Sequence, residues 1–424
     1  MLAETSTRPR NFSLSIEQPI ITRFQICAFD SARRRFTKQQ GGPNMTLEAF
    51  GTKLVSTGLK VQKGAHVGQI MLAGLGVALL MLCVTQAALA FPTINPPLLP
   101  AQGSTSPSNG DLVPYGLAVV PLGFPGHTLQ PGQLLVSNFN SGVASGNLAG
   151  QGSTIVIIDR NTAQQLGVFF QGTSPIGFTN ALSIVQQGFV FAGSVFTTNS
   201  TASNPTPGPL YVFDENGNQI DAITTGTNGP WGLAVKDLGD TAQLFISNVF
   251  DGTVTRLNVS FAKGVFSVVG APTTIASGYA KNTDPSALVV GPAGLAYDPA
   301  SDHLYVASED DNEIFVINNA STRTGGGKGT LVFSDPHLEG PLGLIIAPNG
   351  DLITANADPT AFQNPAQPSE IIEFTKSGKF VREFSIDSQL GGAFSILNVS
   401  FGLLNQFMWV DDVPSTISIL GPSL

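Results

Sequence analysis

The sequence predicts an all-β chain, a six-bladed β-propeller of four-stranded antiparallel blades preceded by a signal segment. Three observations predict it. The composition is rich in turn formers and poor in charge, with 47 Gly, 29 Pro and 12% charged residues in 424, which favours many short strands joined by turns. A Gly-Pro-x-Gly-Leu phrase recurs as GPWGLAV (229–235), GPAGLAY (291–297) and GPLGLII (340–346). Each phrase is followed, after a turn, by a short apolar run and then by a second one. A chain of this length could hold two or three ordinary domains, but repeat-built β architectures use it for one.

The N-terminal part differs from the rest. Residues 1–90 hold ten Lys plus Arg against four Asp plus Glu, whereas residues 91–424 hold ten against twenty-five. An acidic body with no basic stripe excludes nucleic acid as a partner, because phosphate binding needs clustered Lys and Arg. Between the two lies QIMLAGLGVALLMLCVTQAALAFP (69–92), preceded by Lys53, Lys60 and Lys63 and ending in Ala88-Leu89-Ala90. A basic region, a short apolar run and a small-residue cleavage site read as an export signal. The same run, stretched, is long enough for a retained membrane anchor. Residues 1–64 are thus expected to be a leader, disordered or upstream of a true start such as Met45. Residues 65–90 are the signal peptide or signal anchor, residues 91–110 a Pro-rich segment and residues 111–424 the propeller. Cys27 and Cys83 both precede the cleavage point, so the mature chain has neither disulfides nor thiolate metal sites and suits a secreted or periplasmic, cell-envelope location.

The repeat unit can be read strand by strand. The glycine phrase opens strand one. Strand two follows as LLVSN (134–138), LFISN (244–248), LYVAS (304–308) and LITAN (352–356). Strand three is STIVIID (153–159), PLYVFD (209–214), GTVTRL (252–257), NEIFVI (312–317) or SEIIEF (369–374), and strand four is exemplified by KFVREFSI (379–386). Each unit is an antiparallel meander. Gly116, Gly177, Gly232, Gly294 and Gly343 align as the strand-one glycines, and a degenerate sixth unit contains FMWVD (407–411) and TISIL (416–420). Six such meanders predict a six-bladed propeller. Blades crowd around an axis, so the innermost strand needs a residue without a Cβ where backbones approach closely.

With these residues in view, the pattern G-P-x-G-[LI]-A, then L-[YF]-[VI]-[AS], then N-x-[IV], clearest in GPAGLAYDPASDHLYVASEDDNEIFVI, resembles the NHL-repeat class of propellers. The resemblance covers about residues 111–420, most strongly in units three to five. It implies the fold and leaves function open, since the class includes enzymes, binding modules and scaffolds.

The sixth unit runs out of chain after its third strand. The segment FPTINPPLLPAQGSTSPSNG (91–110) is therefore expected to return to that outer edge and supply the missing strand, since an outermost strand tolerates proline.

In a four-stranded meander the connections before strand one and between strands two and three emerge on the same side. That side carries the long loops 139–152, 194–208, 273–290 and 357–369, rich in Ser, Thr, Asn, Gly and Pro and nearly uncharged. Long loops on a rigid scaffold are where function is placed. Their composition suits a protein, peptide or glycan ligand.

The candidate ligand-binding residues are few. Tyr115 and Trp231, next to strand-one glycines, could stack on a sugar or pack between blades. Asn138, Asn248, Ser308, Asn356 and Asp411 share one register at the ends of strand two, broken by Gly193; they are either a polar wreath able to hold a ligand or Ca²⁺, or caps of the loops that follow. A lactonase-type metal centre would need oxygen ligands before the inner glycines, where this chain has Tyr115, Ile176, Trp231, Ala293 and Leu342. His127, His303 and His337 are too scattered for zinc. The run 309–313 and the Asp214-x-Asn216-x-Asn218 hairpin read as turns, the latter lacking the Gly and Glu of a calcium loop. No catalytic residue, metal ligand or cofactor is assigned, Ca²⁺ apart. The expected function is an exported binding or protein-interaction module, membrane-attached only if the signal is retained; the alternative is a metal-dependent hydrolase or lyase at the axial mouth.

Overall fold

A computed structural model describes residues 100–421 except 143–145, 199–203, 283–287, 357–367 and 402–403. The leader, the signal segment and the start of the Pro-rich segment lie outside the described residues. Among the described residues no helix is long and apolar enough to cross a membrane.

The chain builds six four-stranded antiparallel sheets arranged as the blades of a propeller. After β1 (Ala101–Ser104), blade 1 is β2 (Leu112–Val119), β3 (Leu134–Asn140), β4 (Thr154–Ile158) and β5 (Gln165–Gln171). Blade 2 is β6 (Phe178–Val185), β7 (Phe189–Thr197), β8 (Pro205–Phe213) and β9 (Gln219–Ile223). Blade 3 is β10 (Pro230–Asp237), β11 (Thr241–Asn248), β12 (Thr253–Ser260) and β13 (Ser267–Ser277). Blade 4 is β14 (Pro292–Asp298), β15 (His303–Ser308), β16 (Glu313–Asn318) and β17 (Thr330–Phe333). Blade 5 is β18 (Pro341–Ile346), β19 (Leu352–Asn356), β20 (Pro368–Phe374) and β21 (Phe380–Leu390). Blade 6 is β22 (Ala393–Phe401), β23 (Leu404–Asp411) and β24 (Thr416–Leu420), with β1 as its outermost strand.

The strand that completes blade 6 is thus AQGS from the Pro-rich segment, paired antiparallel with Ala101 opposite Ile419 and Ser104 opposite Thr416. These four residues contain no proline, so every amide is free to pair. Thr105 continues the contact, its N–H donating to Ser415 O at 3.0 Å. Gly103 lies against blade 1, where a Cβ would stand 1.8 Å from Ala163 O. One short strand therefore joins the last blade to the first. Removing residues up to 110 strips this strand, and the melting temperature should fall by several degrees; an unchanged melt, followed by circular dichroism, would show that the ring does not depend on it.

The core is distributed between blades. One apolar cluster joins Leu135, Ile155 and Phe169 of blade 1 to Phe178, Val190 and Phe213 of blade 2, and equivalent clusters fill the other interfaces. Because a middle strand is covered on both faces, its apolar residues run consecutively, as in β15, where Leu304, Tyr305, Val306 and Ala307 are all buried. The outer strands alternate instead, β5 exposing Leu166 and Val168 and β21 Val381, as expected of strands covered on one side.

Five of the six inner strands carry the same irregularity at their start. Between the pairs Pro230–Asn248 and Leu233–Ile246, β10 advances three residues while β11 advances two. The same bulge recurs at Pro292/Leu295, Pro341/Leu344, Pro114/Leu117 and Ala393/Ile396. The Gly-Pro-x-Gly-Leu phrase encodes this bulge. The second glycine is required by its neighbour: a Cβ on Gly232 would meet Ala293 O at 2.0 Å, on Gly294 Leu342 O at 2.1 Å, and on Gly343 Phe394 O at 2.4 Å.

Blade 2 departs from the pattern, and the alignment of Gly177 with these glycines needs correcting. Between Phe178–Ser194 and Leu182–Ala192, β6 advances four residues against two. Phe178 therefore stands where Pro230 stands, and Gly177, with φ 62°, matches Gly229, with φ 69°. Where blade 3 has Trp231-Gly232, blade 2 has Thr179-Asn180-Ala181. The position in the strand-two register taken for Gly193 is likewise Ser194.

Candidate functional site

The end of the axis nearest the long loops is closed by aromatic side chains. Tyr115 stacks on Phe139 at 4.4 Å and on Phe394 at 4.1 Å between centroids, and Trp231 meets Tyr115 and Phe139 edge-on at 5.9 and 5.7 Å. Ala293, Leu342, Leu288 and Val289 pack into the same cluster. The bulges explain the arrangement. They place the residue before each inner glycine at the start of the innermost strand, so Tyr115, Trp231, Ala293 and Leu342 converge. Phe394 and Thr179 fill the two positions that the sequence alignment misplaced or did not reach. The Thr179 hydroxyl donates to Pro230 O at 2.6 Å, within the blade interface. Tyr115 is 6% exposed and Trp231 2%.

The register of strand-two ends is a ring of clamps. Asn248 accepts from Asn228 N at 2.9 Å and donates to Thr255 Oγ1 at 3.0 Å. Asn356 accepts from Glu339 N at 3.1 Å and donates to His337 O at 2.7 Å. Asn138 donates to Thr105 O at 3.0 Å and to Thr154 Oγ1 at 3.2 Å. Ser194 donates to Ile176 O at 2.5 Å, Ser308 to Asp311 Oδ2 at 2.7 Å, and Asp411 accepts from Val413 N at 3.3 Å. Asn248, Asn356, Asn138 and Ser194 thus tie strand two to the segment that enters strand one, satisfying buried backbone groups. Asn138, Asn248, Asn356 and Asp411 are all 3% exposed or less.

The preceding serines link blades. Ser247 Oγ accepts from the bulged Gly232 N at 2.8 Å and donates to Ala293 O of blade 4 at 2.7 Å. Ser137 does the same between Gly116 N, at 3.0 Å, and Thr179 O of blade 2, at 3.2 Å. The Ser-Asn pair in LLVSN and LFISN therefore has two tasks, the serine facing the next blade and the asparagine its own incoming loop.

Acidic groups gather where blades 5 and 6 meet. Burial pushes the Glu370 carboxyl up to about 8, helped by a hydrogen bond with Glu383 and by the charges of Glu383 and Glu339, against a hydrogen bond from Asn356. Burial likewise pushes Asp411 up to about 8, aided by a hydrogen bond with Asp387 and its charge. Glu339 is raised by burial and by Glu383. Among the described residues no three His, Cys, Asp or Glu side chains form a group able to hold a metal ion. His127 pairs with Glu215 at 3.3 Å, His303 packs edge-on to Tyr305, and His337 stacks on Phe380 at 4.0 Å while bonded to Asp335 at 2.5 Å. The 309–313 run is a turn held by Asp311, which accepts from Ala280 N, and by Asn312, which donates to Leu338 O. Asp214 accepts from Asn216 N and Asn218 N within its hairpin.

Beneath the aromatic plug an axial cavity of about 260 Å³ runs along the inner strands. Its wall includes Leu117, Leu233, Leu295 and Leu344, with Asn180, Ser183 and Ser395 as its polar side chains.

No protein-family model and no curated protein matches the sequence. Solved structures do. A gluconolactonase from Xanthomonas campestris aligns over 78% of this chain and 99% of its own, at 12% identity and a TM-score of 0.46. Virginiamycin B lyase from Staphylococcus aureus covers 76% of this chain and 89% of its own at 14% identity and TM-score 0.41, and a calcium-binding regucalcin from Agrobacterium tumefaciens 76% and 94% at 11% and 0.42. Likeness at this level concerns the propeller fold alone.

Proposed function

We propose that this chain is an exported NHL-type propeller that binds a protein, peptide or glycan partner through its long-loop face. The observation that supports this most is the plug of Tyr115, Phe139, Trp231 and Phe394. It fills with aromatic rings the axial position where a metal-dependent hydrolase would need several oxygen ligands. A sealed mouth leaves recognition on this face to the loops around it. Tyr115 and Trp231 then support that surface from below, and Asn138, Asn248, Asn356 and Asp411 fix the segments that frame it.

The reading is tested on purified protein in two steps. After dialysis, divalent metal should be well below one equivalent and lactones should not be hydrolysed; a stoichiometric ion with lactone turnover would favour the hydrolase. Glycan and peptide arrays should then yield a ligand whose binding falls at least tenfold when Thr198 and Asp251, exposed on this face, are both replaced by arginine. Binding unaffected by that pair would move the contact elsewhere.

A further inference from the structure

The two-residue bulge of blade 2 has a chemical result. Its inserted residue, Asn180, projects into the axial cavity, where its side-chain oxygen accepts a hydrogen bond from Ser395 of blade 6. Ser395 stands where other blades have the inner glycine, so both irregular blades contribute to one polar point. No partner among the described residues takes the Asn180 NH2 group, and none takes the Ser183 hydroxyl, three residues further along β6. Around them the wall is leucine and isoleucine, together with the axial edges of inner strands, each of which is unpaired on that side. Edge strands present alternating N–H and C=O groups.

We propose that this cavity is a binding site for a small neutral molecule that has a carbonyl oxygen and a compact apolar ring. A carbonyl oxygen matches the donors, since the Asn180 NH2 group and the Ser183 hydroxyl each have a hydrogen to offer from the cavity wall. Neutrality follows from the lining, which includes no ionisable side chain; an ion here would lose its hydration uncompensated. Size follows from about 260 Å³, room for roughly six to ten non-hydrogen atoms at the volume a liquid water occupies. The plug closes the long-loop end, so the ligand comes from the face of the tight turns, past Val119, Ile184, Ile345 and Leu397. An apolar pocket with a few convergent polar groups is the general form of a small-molecule site. The bulge of β6 is what makes it, because a one-residue bulge would leave no residue to carry the amide.

The site is independent of the long-loop face, and its test does not involve that face. The cyclic amide 2-piperidone is titrated into ¹⁵N-labelled protein while the Asn180 side-chain NH2 signals are followed. A saturable shift with a millimolar Kd is expected, weakened about tenfold in Asn180→Leu and several-fold in Ser183→Ala, with melting temperatures confirming that the variants fold. Should Asn180→Leu not fold, Ser183→Ala reads the cavity's other donor. A shift that does not saturate, or equal affinity in wild type and the folded variants, would overturn the proposal.

Discussion

Replacing Gly294 by alanine should lower the melting temperature by roughly 6–10 °C, corresponding to about 3 kcal/mol of overpacking strain. The new Cβ would lie 2.1 Å from Leu342 O and 2.7 Å from Leu344 N, both backbone atoms of the next blade. Neither can move without shifting β18, which also touches blade 6. No rotamer change relieves the contact, as it would if the obstacle were the end of a side chain. Gly167 provides the control. It sits in an outer strand with nothing within 4 Å of a Cβ, so Gly167→Ala should leave the melt unchanged or raise it slightly, since alanine has less conformational freedom to lose. Equal melts for wild type and Gly294→Ala would mean that the blades are not in contact at their inner glycines, and the radial packing would be wrong.

Stability should decline as the pH rises from 5 to 9, by several degrees in melting temperature. Glu370 and Asp411 have folded-state values of about 8, against about 4 in an unfolded chain. A raised acid is held protonated by the fold, so its contribution is fully present below the unfolded value and is lost as pH climbs through the folded one. The lowered carboxyls Asp159, Asp214, Asp298, Asp302 and Asp335 act in the opposite sense. Their contribution disappears only at pH values below the ordinary carboxylate range, outside this window. Glu370→Gln and Asp411→Asn supply an amide donor in place of the shared proton and carry no charge. Each should raise the melting temperature at pH 9 and flatten the profile; a double variant with the slope of wild type would show that these two acids do not titrate against folding.

Much of the architecture was legible in the sequence because the same steric problem recurs at each blade. Wherever β10, β14 and β18 start, a bulge needs the Gly-Pro-x-Gly-Leu phrase, and repetition made it visible. The closing strand was legible from a deficit, three strands in the last unit and an unassigned segment ahead of the first. Blade 2 was misread for a physical reason. A second inserted residue moves the inner-strand position from Gly177 to Ala181, and Gly177 imitates a match because it serves as the turn glycine. That single shift hid Asn180, the residue on which the axial cavity's polarity depends, and turned Ser194 into Gly193. Tyr115 and Trp231 were recognisable by their place beside glycines. Phe139 and Phe394 were not: Phe139 follows a clamp residue in a run that reads as ordinary strand, and Phe394 belongs to a blade whose phrase has decayed to GGAFSI. Whether a register of Asn and Asp serves ligands or loops is decided by partners far along the chain, such as Thr105 for Asn138, and no local pattern reports them.

The join between the first and last blades also governs how the molecule must be assembled. Gln102 meets Thr416 across 314 residues, so its partner strand does not exist until all five intervening blades have been made. Contacts of such span form late and slowly. Until they do, β24 presents a free edge to its surroundings, and a second molecule's AQGS strand could occupy it as readily as the chain's own. At high concentration, refolding should therefore yield dimers that exchange their N-terminal strands, each a complete ring built from two polypeptides.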